Sequence, residues 1–392
     1  MKTAFRHMAP GLVAWAALFM PGAATAQDRP APLPVEDLTV ETMPEQAGAH
    51  HFWVNDVSFT RMLDGRAYLV DGDTGRFEGM VSAGYGHGFL LIPDSADRFY
   101  IPETYYSRGT RGERTDVLTE YSFTDLAPVD ETVLPPRVFS GLPFIGNYAL
   151  LDGDRHAAIY NFTPGQSVSI VDVAAGEMVR EVDIPGCAMI FPSGPKRFHS
   201  LCGDGAFMTV TLKGDDLTAE LEHHDPFFDP DSSARLFEKA VRVDDTWLFS
   251  TYDSHIHPVD MASGTPEPGQ RWSLLTDSER DAGWRIGGIQ PLAVSTAVGR
   301  LYALMHKGGP NTHKNPGTHV WVYDLHSREK VATIALSPMA TSMAVSNDAD
   351  PVLATALFGM PEVHVYDAVS GDMVRKIEHI GDTISYLQAA RP

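Results

Sequence analysis

The side chains able to do chemistry in this sequence are plentiful but poorly grouped. Sixteen histidines occur, and three sets of them could ligate a metal: His223 with His224, His255 with His257, and His306 with His313 and His319. A structural or catalytic zinc needs three or four such ligands converging, each imidazole held by a further partner. His255 and His257 share one face if their segment is extended, yet no third ligand follows at a recognisable interval. The two cysteines, Cys187 and Cys202, supply neither a C-x-x-C-H haem attachment nor the thiolates of an iron–sulfur cluster. Serine, histidine and aspartate are all present without a G-x-S-x-G elbow, so nucleophilic hydrolysis has no support. The glycine-rich stretch Trp284 to Gly288 lacks the Lys-Ser/Thr of a phosphate loop and reads as a bend between strands. For a chain this large, the expectation is that the chemistry lies in a partner.

The elements that would position any site are β-strands. Short runs rich in Val, Ile, Tyr, Phe and Thr are punctuated by Gly, Asp, Asn and Pro. A brief helix is predicted near Thr276 to Ala282, with Thr276 as N-cap and Glu279 completing a capping box. An internal repeat organises the rest. Alternating strands run into Asp71, Asp172, Asp260, Asp324 and Asp367, most followed by a Gly-containing turn and a second strand. Weaker copies place their marker at Thr124 and Thr211, and successive markers lie about 49 residues apart on average. A period of about 40–50 residues with about four short strands is the sign of a propeller blade, which cannot bury both faces alone. Seven copies predict an all-β, seven-bladed β-propeller with four-stranded antiparallel blades over residues 49–392. The repeated aspartates are expected to bond turn N–H groups rather than act as acids.

The ends of the chain and its charge narrow the compartment. Lys2 and Arg6 precede an apolar run from about Met8 to Phe19, and small residues close at Ala24-Thr25-Ala26. That pattern is a secretory signal over residues 1–26, cleaved before Gln27. The run is too short to span a hydrocarbon core, which needs roughly 20 residues. Residues 27–48, with Pro30, Pro32 and Pro34, read as a flexible N-terminal arm. The formal net charge is −21, and loss of Lys2 and Arg6 makes it −23. Such a surface argues against nucleic acid and anionic membranes and favours a cationic partner or electron carrier. In an oxidising compartment Cys187 and Cys202, separated by Pro192, Ser193, Gly194 and Pro195, read as a disulfide; two buried free thiols are the alternative.

Several segments also resemble a known family. They are Trp53 to Asp56 leading through Phe59 to Asp71, the loop Ser107 to Asp116, and Gly186-Cys187 with Cys202 to Gly205. Trp272 to Asp277, Gly283 to Gly288, and Leu304 through Lys314 to Asp324 extend the likeness over nearly the whole mature chain. Together they resemble heavy chains of the methylamine and aromatic amine dehydrogenases, with details around Cys202 and Met305 leaning toward the aromatic branch. The resemblance implies a periplasmic α₂β₂ heterotetramer whose small, cysteine-rich subunit carries tryptophan tryptophylquinone. It implies oxidation of a primary amine to aldehyde and ammonia, with electrons passing to a copper protein or cytochrome c. This chain, with two cysteines and no cofactor pair among its six tryptophans, matches the larger partner. It would then hold no catalytic residue, cofactor or metal, and would wall the substrate channel with Phe59, whose other reading is a core aromatic of the first blade. The rival functions are a stand-alone periplasmic propeller that binds or scaffolds, and a metal-dependent propeller hydrolase.

Overall fold

The computed structural model describes residues 42–86, 89–140 and 144–391. The signal sequence and the greater part of the arm fall outside them. Residues 42–48 lie against the first blades: the Met43 amide donates to the Thr124 carbonyl at 2.9 Å, and Ala47 is buried.

Seven antiparallel sheets follow one another along the chain. Blade 1 takes its innermost strand, Ile384–Ala389, from the C-terminus and adds His51–Asp56, Arg66–Asp71 and Phe77–Ser82. Phe52 pairs with Ala389 and Val54 with Leu387, so the last strand is stitched to the first and closes the ring, leaving only the outer strand of each blade as an edge. Blades 3, 4 and 7 are plain four-stranded sheets, and blades 5 and 6 each carry a fifth short strand. Blade 2 has three full strands, Arg98–Tyr106, Arg114–Ser122 and Pro128–Leu134, with its inner edge reduced to a Leu91–Tyr100 bridge. The Gln388 side chain covers the other side of that edge, facing away from Tyr100: it accepts from the Leu90 amide at 2.9 Å and donates to the Leu90 carbonyl at 3.0 Å. That pairing spares two buried backbone groups the cost of going unbonded.

Hydrophobic clusters sit between the blades. One joins Val54 and Val70 of blade 1 to Ala354 and Val365 of blade 7, and equivalent clusters fill the other six seams among the described residues. Middle strands are therefore apolar on both faces: every residue of His156–Asn161 and of Ser167–Asp172 is buried, whereas Thr218–His223 at the rim is almost wholly exposed. Each Leu, Ile, Val or Phe so enclosed contributes about 1.5–3 kcal/mol. Inner strands surround an axial cavity of about 460 Å³ lined by Phe89, Leu91, Tyr148, Leu292, Leu387 and Gln290, among others.

The strand-end aspartates behave as turn formers. Asp71 accepts from the Asp73 amide, Asp172 from Ala174 and Ala175, Asp260 from Ala262, Asp324 from His326 and Ser327, and Asp367 from Val369 and Ser370. Backbone donors at Ser370 and Val369 hold the Asp367 carboxyl below the usual carboxylate range. Gly75, Gly176, Gly264 and Gly371 take the positive φ these turns require, and Arg328 takes it in blade 6. The two weak copies are displaced by two residues each, since their strands end at Ser122 and Lys213 rather than at Thr124 and Thr211. Neither end residue is an aspartate, so the capping bond that marks the other copies is missing from their sequence. The helix at Asp277–Asp281 starts at Thr276 with both arms of the capping box formed. No helix among the described residues is long and apolar enough to cross a membrane.

Candidate functional site

The aspartate turns gather at one end of the ring and the second-to-third-strand loops at the other. Antiparallel pairing dictates this, because the loops joining second to third strands and those joining third to fourth strands leave opposite edges of every blade. Phe59 stands in the second-to-third-strand loop of blade 1. The disulfide, the 107–113 hairpin and the 308–316 loop share its end.

Phe59 is 53% exposed, so it is not a core residue of blade 1. Its loop is held by a buried clamp. The Phe59 amide donates to Thr383 Oγ1 at 2.8 Å, and that hydroxyl donates to Asp56 Oδ1 at 2.8 Å. Asp56, 1% exposed at the end of its strand, also accepts from the amides of Ser58 at 2.7 Å, Asp382 at 2.6 Å and Thr383 at 3.1 Å. One carboxylate thus ties the Phe59 loop to the segment preceding the closing strand, 326 residues away in sequence. Sequence reasoning missed Asp56 and Thr383 as site-building residues. The available signal was an aspartate ending a strand without the glycine turn that follows most of the others.

Phe358, from the corresponding loop of blade 7, meets the Phe59 ring edge-on with centroids 6.1 Å apart. On the other side lies a cleft of about 500 Å³ lined by Phe59, Arg61, Leu63, Tyr85 and Thr110. Tyr85 packs edge-on to Tyr106 at 5.5 Å. Aromatic walls with polar tips such as these bind a flat or apolar group and orient it.

Cys187 and Cys202 form a disulfide between directly opposed residues of neighbouring strands in blade 4. The histidine sets do not assemble into a metal centre. His224 bonds Thr209 at 2.7 Å while His223 faces Asp204 at 3.2 Å. His255 lies 3.3 Å from Asp253, whereas His257 packs on Phe227, and burial pushes its pKa down to about 4. His306 bonds Thr312, His313 packs against Tyr252 and Phe237, and His319 packs on Trp284. Among the described residues the groupings the fold does bring together are His51 with Asp71 and Glu78, and His223 with the two cysteine sulfurs. In the second the sulfurs are consumed by the disulfide; in the first Asp71 already caps its turn.

Two further pairings were not visible in the sequence. Ser193 and His199 are hydrogen-bonded at 2.7 Å but both fully buried, which denies the hydroxyl to any substrate. Trp284 and Trp321 lie 5.1 Å apart, with Lys307 and Lys330 respectively over their rings. They wall blade 6 as a packed pair.

Comparison with known proteins agrees with this architecture. A family described as methylamine dehydrogenase heavy chain matches residues 48–389. The methylamine dehydrogenase heavy chain of Paracoccus versutus is 28% identical over 319 residues, covering 80% of this chain and 73% of that one. Its counterpart from Methylorubrum extorquens is 27% identical over 328 residues, covering 80% and 76%. Among solved structures, a functionally unknown protein from Desulfotomaculum acetoxidans superimposes with a TM-score of 0.60 at 12% identity, over 88% of this chain and 99% of that one. A periplasmic gluconolactonase from Pseudomonas aeruginosa gives 0.56 at 14%, over 87% and 99%. At those identities the structures share the fold alone.

Proposed function

Because this chain belongs to the methylamine dehydrogenase heavy chain family, we propose that it is the non-catalytic large subunit of a periplasmic quinoprotein amine dehydrogenase. The proposed assembly is an α₂β₂ heterotetramer that oxidises a primary amine to aldehyde and ammonia. Tryptophan tryptophylquinone, carried by the small subunit, would supply the electrophile and accept the electrons, which then leave to a copper protein or cytochrome. The residues of this chain neither attack the substrate nor move its proton. They shape the apolar side of its channel.

Within that reading Phe59 lines the channel, and its presentation carries the argument. An exposed aromatic on a surface loop pays for its ordering only if something holds it, and here a buried carboxylate, a threonine hydroxyl and an edge-on Phe358 do so. Such a ring discriminates among amines by the apolar area it covers, worth about 1–3 kcal/mol per pocket difference. Phe59→Ala in the assembled enzyme should therefore change the kcat/KM ratio between a bulky aromatic amine and a short aliphatic one by about tenfold or more. The melting temperature should hardly move, because the ring is half exposed. An unchanged ratio would remove Phe59 from the channel. The preference for aromatic over short aliphatic amines, suggested by the Cys202 and Met305 segments, is read from the same ratio in the unmodified enzyme.

A further inference from the structure

We infer that the tip of the blade 2 hairpin, residues 107–113, is a docking element that engages carboxylates of the small subunit through Arg108 and Arg111. The inference rests on the heavy-subunit reading above and adds a contact to it.

The charge of this protein is unevenly placed. Overall, 51 acidic residues face 30 basic ones. The third-to-fourth-strand turns of the seven blades (72–76, 123–127, 173–176, 214–217, 261–266, 325–329 and 368–372) contain six acidic and two basic residues, beside the five strand-end aspartates. The second-to-third-strand loops at the Phe59 end (57–65, 107–113, 162–166, 203–206, 251–254, 308–316 and 357–361) contain four of each. A partner bearing carboxylates is repelled by the first end and tolerated at the second.

At that second end three cations, one in the loops and two on the strands beside them, are already engaged. Arg61 pairs with Asp382, and Arg66 and Arg114, on the flanking strands, pair with Asp64 and Asp116. Arg108 and Arg111 make no ion pair among the described residues, although both are exposed in a strongly acidic chain. Their loop is braced, not loose. The Ser107 amide bonds the Glu113 carbonyl at 2.9 Å and the Arg108 amide bonds the Arg111 carbonyl at 3.0 Å. The Glu113 amide reaches Ser107 Oγ at 3.1 Å. Gly109 and Gly112 take positive φ values of 75° and 107°, which closes the tip without side-chain cost. A preformed turn thus carries two exposed guanidinium groups, and a planar fork of this kind is the donor best matched to carboxylates at protein interfaces. Thr110, between them, lines the same cleft as Phe59, so a subunit covering that cleft meets the hairpin as it docks.

The test is the affinity of the intact heavy chain for the proposed small quinone-bearing subunit, measured at about 50 and 200 mM salt, a range over which exposed charges become screened. The double variant Arg108→Glu/Arg111→Glu should bind at least tenfold more weakly at low salt and lose most of the salt dependence of the parent. Arg108→Gln/Arg111→Gln should fall between. Both variants should melt with the parent, because the two arginine side chains are exposed and make no ion pair among the described residues. Equal dissociation constants for parent and both variants would overturn the inference while leaving the heavy-subunit reading intact. Failure of the parent chain itself to bind, or the lack of such a subunit, would overturn that reading and the inference with it.

Discussion

Replacing Asp56 should loosen the Phe59 loop and the closing seam of the ring together. In the folded protein its carboxylate accepts four hydrogen bonds: three at Oδ1, from the Ser58 amide, the Thr383 amide and the Thr383 hydroxyl, and one at Oδ2, from the Asp382 amide. A hydrogen bond to a charged group contributes about 1.5–3 kcal/mol, and a buried donor left unpaired costs about 1–3 kcal/mol. Water can reach the half-buried Asp382 amide, but the Ser58 and Thr383 donors are enclosed. Asp56→Ala should therefore cost about 3–5 kcal/mol, less than the sum of four bonds because neighbouring losses share relaxation. Asp56→Asn keeps the Oδ1 acceptor and turns an amide toward the Asp382 N–H, so its cost should be about 1–2 kcal/mol. Urea denaturation of the assembled protein measures both. The same samples should show a drift in the aromatic-to-aliphatic kcat/KM ratio that is larger for alanine than for asparagine, since the loop carrying Phe59 is what the clamp holds. If Asp56→Ala unfolds within about 0.5 kcal/mol of the parent, a shift ordinary for surface positions, the carboxylate does not hold the loop and the reasoning fails.

Thiol titration of the denatured, unreduced protein should find no free thiol, and Cys187→Ser/Cys202→Ser should lower stability by about 3 kcal/mol, the loop-entropy value for a closure of this length; two titratable thiols would contradict the pairing. His199 gives a pH signature. Its Nε2 accepts from Ser193 at 2.7 Å while Ser193 Oγ already takes the Arg197 Nε–H, and Thr209 Oγ1, at 2.9 Å from Nδ1, donates onward to the Gly264 carbonyl. Nδ1 therefore carries the proton, and a second one, on Nε2, would displace the Ser193 hydroxyl proton from this bond and set a positive charge in a buried site near Arg197. Burial first, then Arg197 and His224, push the His199 pKa down to about 3. A depressed folded-state value means that its contribution is present above the ordinary 6.5 and lost as pH falls toward 3. The urea midpoint should decline over that window, and less steeply in His199→Gln; identical slopes would place the acid sensitivity elsewhere.

The parts of this molecule legible in the sequence are those fixed within a few residues. The turns after Asp172 and Asp367 announce themselves because the aspartate bonds amides two and three positions on. The Thr276–Glu279 capping box did so for the same reason. Blades ending in Ser122 and Lys213 lack that local bond, and their positions were read two residues away from where the strands stop. Contacts across the ring have no local signature. Nothing near Asp56 points to Thr383, nothing near Leu90 points to Gln388, and Phe358 meets Phe59 only because the last strand closes on the first. The arginine hairpin was visible as sequence, but its lack of counter-ions among the described residues follows from which carboxylates the blades place elsewhere.

The most direct test is amine-dependent dye reduction by the purified chain, alone and after assembly with its small subunit. The heavy-subunit account predicts no turnover and no quinone absorbance from the isolated chain, and both from the complex. Amine oxidation by a metal-free preparation of this chain alone would contradict it.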